Sequence, residues 1–347
     1  MKYRINKKTG DKISIVGLGT GPIFETPEKE AVGALVYAHE NGINYLDLAT
    51  AGAKTFEYVG KAFSVRREVF YQVHFGANYE TGEYGWTTDL ETIKRQIDWQ
   101  LGKLKTDYID YGFIHCLDEK SDWEDYQKNG ALDYLLDMKE NGIVRHIGMS
   151  SHTPELAWQI LDTGLVDQMM FSINAAYDYQ HGDYAIGSAS ERMKLYSGGQ
   201  LLNADTSPFG QALTPYQCIQ YALDKPGVLT VLPGVRNKAD IDALLGFLDA
   251  SDEERDYSVI SSLTPKDVEG SCVYCNHCQP CPAGLNVGLI NKYYDLAFIG
   301  DTLAADHYSK LEKKASDCVS CGHCDSRCPF HVAQADRMKT IAEYFGC

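Results

Sequence analysis

The sequence predicts an α/β protein: a (β/α)₈ barrel followed by a small helical domain. Three observations predict it. Residues 12–263 alternate short β-rich runs with helical patterns, no G-x-G-x-x-G follows the first run, and after SSLTPKDVEG the β-runs stop and two cysteine clusters begin. Strand–helix alternation over about 250 residues suits a closed parallel barrel, with a doubly wound open sheet as the rival. The expected division is 1–263 for the barrel and 264–347 for the helical domain.

The β-runs are ISIVGLG (13–19), INYLDLA (43–49), VFYQVHF (69–75), YIDYGFIHC (108–116), VRHIGMS (144–150), QMMFSIN (168–174) and VLTVLPG (228–234). Helix starts are marked between them. Thr26-Pro27-Glu28, Thr153-Pro154-Glu155 and Thr214-Pro215 each set a capping hydroxyl before proline at the first helical position. Thr88 with Glu91 fits a capping box before TIKRQIDWQL. Gly42 and Gly164 are expected helix stops. One stretch resists the count. Between Asn174 and Thr214 the barrel needs a sixth helix and a seventh strand, but GSASERMKLY runs straight into SGGQLL. The helix 6/strand 7 region is therefore shortened: either MKLY or QLLN serves as a stunted strand, or a segment is missing. The tail has no β-run, and LINKYYDLAFIG (289–300) and TLAADHYSKLEKKA (302–315) read as helices.

The 347 residues are 44% hydrophobic and 23% charged, as in ordinary soluble domains. A net charge of −16 argues against nucleic acid and anionic membrane surfaces, which need Lys and Arg to meet phosphates. MKYRINKKTG carries charges where a signal peptide needs an apolar run, and no stretch approaches the roughly 20 apolar residues of a membrane span. The expected location is cytoplasmic. Of eleven cysteines, nine follow residue 270. In a reducing compartment they read as metal ligands rather than disulfides.

The second cluster, CVSCGHCDSRCP, has the C-x₂-C-x₂-C-x₃-C-P spacing of bacterial [4Fe–4S] ferredoxin ligands: Cys318, Cys321, Cys324 and Cys328, then Pro329. The first, SCVYCNHCQPCPAG, places Cys272, Cys275, Cys278 and Cys281 two residues apart, again before proline. Three closely spaced thiolates wrap one corner of a cube, and the cysteine before proline reaches the other cluster. The expected pairing is Cys272, Cys275, Cys278 and Cys328 around one cluster and Cys318, Cys321, Cys324 and Cys281 around the other. Two structural zinc sites are the alternative, because CxxC pairs also build Cys₄ sites. Cys116, Cys218 and Cys347 fall outside the pattern, the first two as ordinary small buried residues.

VGLGTG (16–21), LDLA (46–49), IDYGFIHC (109–116), IGMSSH (147–152) and LPGVRN (232–237) occur in this order. Together they resemble the aldo-keto reductase superfamily, (β/α)₈ barrels that use NADP(H). With the tail, the resemblance is closest to reductase-like proteins bearing a C-terminal double ferredoxin domain. It implies an Asp, Tyr, Lys and His set at the strand ends, in which tyrosine protonates the carbonyl oxygen as hydride leaves the nicotinamide. Asp47 matches the aspartate and His115 the histidine. The tyrosine position is Gly52 and the lysine position His74, so the ordinary mechanism is broken. Asp47, His74 and His115 still belong at the barrel's C-terminal mouth, where two histidines and a carboxylate do acid–base work near neutrality. Lys54 in the loop after Asp47 is a further candidate.

The resemblance also implies a nucleotide site. Gly234, Arg236 and Asn237 match the loop that holds the adenosine phosphate of NADP, and an arginine at a helix N-terminus suits an anion. Ser150 and Ser151 stand where the family binds the carboxamide, Ser151 replacing the usual asparagine. Nicotinamides exchange electron pairs whereas [4Fe–4S] clusters pass single electrons, and flavin mediates between them. FMN in the same loop is therefore the alternative to NADP(H).

The leading expectation is a cytoplasmic, oxygen-sensitive oxidoreductase of anaerobic life. Two [4Fe–4S] clusters would exchange electrons with a small-molecule substrate in the barrel, with an external electron carrier as partner. Lys310, Lys313, Lys314 and Arg327 offer such a carrier a basic patch, unless they form a solvated helix face. The alternatives are a redox sensor or electron carrier with a non-catalytic barrel, and a lyase or isomerase using His115 and Asp47.

Overall fold

Eight parallel strands form one sheet, in an order that follows the chain apart from short additions. The computed structural model describes residues 1–64, 68–176, 190–193, 196–204, 207, 209–262, 270, 272, 278–298, 302–328 and 331–346. Its strands are β1 (Tyr3–Ile5), β2 (Lys12–Ser14), β3 (Leu18–Gly19), β4 (Tyr45–Asp47), β5 (Phe70–Phe75), β6 (Ala77–Asn78), β7 (Gly85–Trp86), β8 (Ile109–Ile114), β9 (Val144–Ser151), β10 (Gln168–Ser172), β11 (Ser190–Met193) and β12 (Val228–Val231). The sheet runs β3–β4–β5–β8–β9–β10–β11–β12. Its two ends meet. Val16 bridges Val231 and Gly19 bridges Gly234, both parallel, and the Gly17 and Gly19 amides donate to the carbonyls of Val231 and Pro233 at 2.9 Å. An open, doubly wound sheet is thereby ruled out, and the fold is TIM-barrel-like.

The seventh strand is Ser190–Met193, the SERM of GSASERMKLY. It pairs with β10 on one side and β12 on the other, with an irregular register at Ser190/Glu191. Of the two segments weighed for this strand, QLLN lies mostly in a 3₁₀ turn, Ser197–Leu202, and MKLY contributes only Met193. The region is short because a four-residue strand suffices where both neighbours already supply partners.

Three helix caps differ from expectation. Thr26 Oγ1 donates to the Arg236 carbonyl (2.8 Å), so helix Glu28–Glu40 starts without a side-chain cap. Thr153 makes no capping bond to helix Pro154–Leu161. The cap of helix Leu90–Leu104 is Asp89 rather than Thr88, its carboxylate accepting from the Thr92 amide at 2.8 Å. The Thr214 cap is present, accepting from the Gln217 amide at 3.2 Å. Gly42 and Gly164 follow their helices with φ of 88° and 72°.

By contact density the chain divides into two compact units: Met1–Ser172, Ala185–Met193 and Ala222–Ser251, and Ile173–Tyr184, Lys194–Tyr221 and Asp252–Cys347. In the first, Tyr45, Tyr111, Phe113, Met170, Leu229 and Leu232 fill the space inside the sheet. In the second, helices Val287–Phe298, Thr302–Ser309 and Gln334–Phe345 supply a core that includes Ile290, Tyr293, Tyr308, Met338 and Ile341. Among the described residues no helix is long and apolar enough to cross a membrane.

The antiparallel hairpin β1–β2 lies at the strands' N-terminal ends. Its Asn6, wholly buried, donates to Gln168 Oε1 (3.0 Å). Gln168 Nε2 donates to the Tyr45 hydroxyl (2.9 Å), which donates to Gln72 Oε1 (2.9 Å). A directed polar chain thus crosses the apolar interior. Buried polar groups stripped of such partners cost about 1–3 kcal/mol each. Gln168→Leu is therefore expected to lower barrel stability by roughly that amount or more, read as an earlier midpoint in denaturant monitored by tryptophan fluorescence.

Candidate active site

Three adjacent strands end in polar side chains. Asp47 closes β4, His74 is the penultimate residue of β5, and His115 follows β8. Strand alternation turns Tyr45 and Asp47, Gln72 and His74, and Tyr111, Phe113 and His115 to the same side, the interior. Asp47, His74 and His115 are 4%, 1% and 5% exposed. His74 Nε2 lies 2.8 Å from Asp47 Oδ1, and His74 Nδ1 lies 2.8 Å from His115 Nδ1. Gln72 Nε2 and the Ala49 amide add hydrogen bonds to the same carboxylate oxygen, each 3.1 Å.

The bond directions follow from groups that only give or only take. Gln72 Oε1 is engaged by the Tyr45 hydroxyl, so its NH₂ faces Asp47. A carboxylate only accepts, so the proton between Asp47 and His74 rests on His74 Nε2. With His74 neutral, its Nδ1 then accepts from His115 Nδ1–H.

The row continues to a residue that sequence reasoning missed. The Tyr84 hydroxyl lies 2.7 Å from His115 Nε2. Tyr84 sits on the β6–β7 hairpin, and the Trp86 indole N–H fixes that hairpin by donating to the His115 carbonyl (3.0 Å). The only warning in the sequence is NYETGEYGW (78–86), where aromatic residues flank a Thr-Gly turn. Gly76 starts the excursion at φ 122°, a conformation other residues avoid. Tyr79, also on this hairpin, is structural. It is buried, its hydroxyl accepts from the Thr50 amide (3.2 Å), and burial raises its pKa far above the ordinary tyrosine value.

Gly52, expected from the sequence at the family's tyrosine position, has no room for a side chain unless Phe24 moves. A Cβ there would stand 2.5 Å from Phe24 Cδ2. Lys54 is exposed as the first residue of helix Lys54–Ala62, apart from the buried row. Cys116 is buried as expected but has φ 52°, and its Sγ lies 3.9 Å from His152 Nδ1, which also meets both Asp118 carboxylate oxygens at 3.1 and 2.9 Å.

At the expected nucleotide site, Ser150 and Ser151 are buried with internal partners. Ser150 Oγ accepts from the Cys116 amide (2.8 Å) and Ser151 Oγ from the Thr153 amide (3.1 Å). Gly234 and Arg236 are exposed, and Asn237 caps helix Lys238–Gly246 by accepting from the Asp240 amide (3.1 Å). Arg236 Nε donates to Asp240 Oδ2 at 3.0 Å, and its backbone amide reaches the same oxygen at 2.9 Å. The bond from Arg236 to the carboxylate raises the arginine pKa further. Burial would raise that of Asp240, but the Arg236 bonds outweigh it and the net direction is down. The helix N-terminus thus already holds an anion of its own.

In the second unit Cys275 lies outside the described residues. Among the described residues, the members of both clusters form no disulfides. Cys278 and Cys324 are buried in the helical core, with Cys281 and Cys318 packed against it. Ser320 and Gly322 take left-handed conformations between Cys318 and Cys324, and the Ser320 amide donates to Cys318 Sγ at 3.4 Å. Gln334 Nε2 donates to Cys272 Sγ at 3.3 Å. Burial, with Asp325 beside it, pushes the Cys324 thiol up to about 11. Such a thiol ionises at neutral pH when a cation shares the site, so these residues fit iron–sulfur ligation. Among the basic residues considered for a docking patch, Lys310 pairs with Asp306 at 2.5 Å and Lys313 with Asp317 at 3.6 Å, as on a solvated helix face.

Comparison with known proteins agrees with both halves. Residues 15–176 match the aldo/keto reductase family and residues 270–332 the 4Fe-4S dicluster domain. An uncharacterized oxidoreductase of Bacillus subtilis is 27% identical over 64% of this chain and 83% of its own length. A methylglyoxal reductase of Yersinia pestis is 31% identical over 43% of this chain and half of its own. The solved holo structure of an aldo-keto reductase from Bacillus halodurans superposes over 78% of this chain and all of its own, with a TM-score of 0.62 at 21% identity, a likeness of fold.

Placing a tyrosine at the expected family position by Gly52→Tyr is expected to lower the melting temperature rather than raise turnover. Overpacking of this kind costs about 1–3 kcal/mol, and a thermal melt of the variant reads it directly.

Proposed function

A chain that carries an aldo/keto reductase domain and a 4Fe–4S dicluster domain is an oxidoreductase, and we propose that this one joins two [4Fe–4S] clusters to a nicotinamide-dependent reduction of a small carbonyl compound. The observation that carries the reading is the buried Asp47–His74–His115 row, a proton-handling set at the strand ends where such barrels keep their chemistry. We take the eight strands as a complete (β/α)₈ barrel, residues 1–263 as the reductase portion, and residues 264–347 as the electron-transfer portion.

When bound, a reduced nicotinamide supplies hydride and the clusters supply single electrons. The chain's own groups do the rest. Cys272, Cys275, Cys278 and Cys328 would ligate one cluster, and Cys318, Cys321, Cys324 and Cys281 the other. Gly234, Arg236 and Asn237 would meet the nucleotide phosphate at the helix N-terminus, with Asp240 yielding Arg236 to it. His74 and His115 would move a proton toward the substrate oxygen while Asp47 balances its charge. This reading makes the protein soluble, with a small molecule as its substrate.

The test is a fluorescence titration of anaerobically purified, cluster-replete protein with NADPH. Arg236→Ala is expected to weaken binding about tenfold or more, in line with loss of a charge-assisted bond. Asp240→Asn, which removes the competing carboxylate, is expected to tighten it. No binding by the wild type would remove the nicotinamide from the reading, and binding that neither change alters would remove Arg236 from the nucleotide site.

A second expectation concerns the clusters. N–H donation to a ligating sulfur stabilises the reduced, more negative cluster. Gln334→Met, which deletes the donor to Cys272, should move the more affected midpoint potential in the negative direction. A redox titration followed by electron paramagnetic resonance measures it, and unchanged midpoints would make Gln334 a packing residue only.

A further inference from the structure

We propose that Tyr84 is the proton donor of this site and that His115 recharges it. The inference rests on the reductase reading above and names the residue that completes it. The expected tyrosine position is a glycine, and a side chain there would have to displace Phe24. A different phenol reaches the same polar row from the hairpin after β5, with its oxygen 2.7 Å from His115 Nε2. It is half-buried, whereas Asp47, His74 and His115 are buried, so Tyr84 is the member of the row nearest to solvent.

The hairpin is held in place from three sides. Glu83 bridges Gly52 in antiparallel fashion. The Ala53 amide donates to the Gly82 carbonyl (3.0 Å), and the Tyr84 amide donates to the Ala51 carbonyl (3.1 Å). Trp86 ties the returning strand to the His115 backbone, and the Tyr84 ring packs edge-on against Tyr79 at 6.2 Å between centroids. The loop that lacks the tyrosine is thus the loop that positions Tyr84.

The proton inventory gives the row a working state. Asp47 is a buried carboxylate, and one extra proton on the two imidazoles neutralises it. Asp47 accepts from His74 Nε2–H, so His74 Nδ1 accepts from His115 Nδ1–H, and the extra proton sits on His115 Nε2, facing the Tyr84 oxygen. A cation donating to the phenol oxygen eases loss of the phenol's own proton. In the reduction, hydride from a reduced nicotinamide nucleotide brings both electrons to the carbonyl carbon. The Tyr84 O–H bond breaks and an O–H bond forms on the product oxygen. His115 Nε2–H then restores the phenol, and the row takes one proton from solvent to reset. Without the extra proton, Tyr84 O–H donates inward to His115 Nε2, so reduction should weaken as pH rises and the reverse oxidation should strengthen.

The experiment uses the full-length, cluster-replete protein with NADPH and a panel of small aldehydes and ketones, comparing wild type, Tyr84→Phe and His115→Ala. Tyr84→Phe keeps the ring packing and is expected to lower kcat by about 10²–10⁴-fold, the range of general acid catalysis, with the nucleotide dissociation constant unchanged and the pH dependence flattened. A second readout needs no substrate. Subtracting the ultraviolet titration of Tyr84→Phe from that of wild type isolates this phenol among the 23 tyrosines, and the same subtraction in the His115→Ala background should show its ionisation displaced. Retained kcat in Tyr84→Phe, or a phenol titration indifferent to His115, would overturn the proposal. If wild type reduces no carbonyl while the phenol still titrates in a His115-dependent way, the carbonyl reductase reading falls and the Tyr84–His115 proton couple stands.

Discussion

A carboxylate held away from water inside the barrel is the constraint on which this molecule depends. Asp47 is 4% exposed, and an uncompensated charge at that depth would cost several kcal/mol. One of its oxygens collects three donors, from His74, Gln72 and the Ala49 amide. Each donor must face the right way, which orders the groups behind it. Gln72 is aimed by Tyr45, Tyr45 by Gln168, and Gln168 is anchored by Asn6 on the N-terminal hairpin. The hairpin at one end of the barrel and the polar row at the other are therefore parts of one hydrogen-bonded system. An apolar interior alone leaves the tautomer of His74 undetermined, whereas the Asp47 carboxylate beside it favours a proton on His74 Nε2.

The bare backbone at residue 52 and the β6–β7 hairpin are coupled in this structure. With Phe24 pressed against its Cα, Gly52 offers backbone instead of a side chain, and that backbone pairs with Glu83. Pairing draws the hairpin tip across the strand ends. A bulky residue at 52 would displace Phe24, loosen the bridge and release Tyr84 from His115. Gain and loss cannot be separated by single substitutions at either place.

Much of this was legible in the sequence, for reasons that also mark where reading stops. Seven strands announced themselves because buried parallel strands are continuous apolar runs. SERM did not, being four residues long and mostly polar. Asp47, His74 and His115 were readable together because strand ends in a parallel barrel share one mouth. Tyr84 was not, because its role depends on a hairpin folding back over residues some thirty positions away, which no local periodicity encodes. The caps at Thr26 and Thr88 failed through competition: a hydroxyl beside a helix start bonds whichever acceptor or donor tertiary packing brings closest. At the cofactor end Arg236 was read without Asp240, four residues on, although helical spacing puts the two in reach of each other.

The capacity of the proton row bears on which electrons the barrel handles. A carbonyl reduced by hydride needs one further proton; reduced by two single electrons, it needs two. In the proposed working state the row carries one proton beyond those its hydrogen bonds require, since Asp47 is the one carboxylate bonded to it. A second proton on the imidazoles would leave the buried site with net positive charge and place N–H groups face to face between His74 Nδ1 and His115 Nδ1, which stand 2.8 Å apart. On that reading the site is matched to one proton per turnover. On the proposed reading, that stoichiometry suits a hydride donor in the barrel rather than delivery of single electrons to the substrate itself.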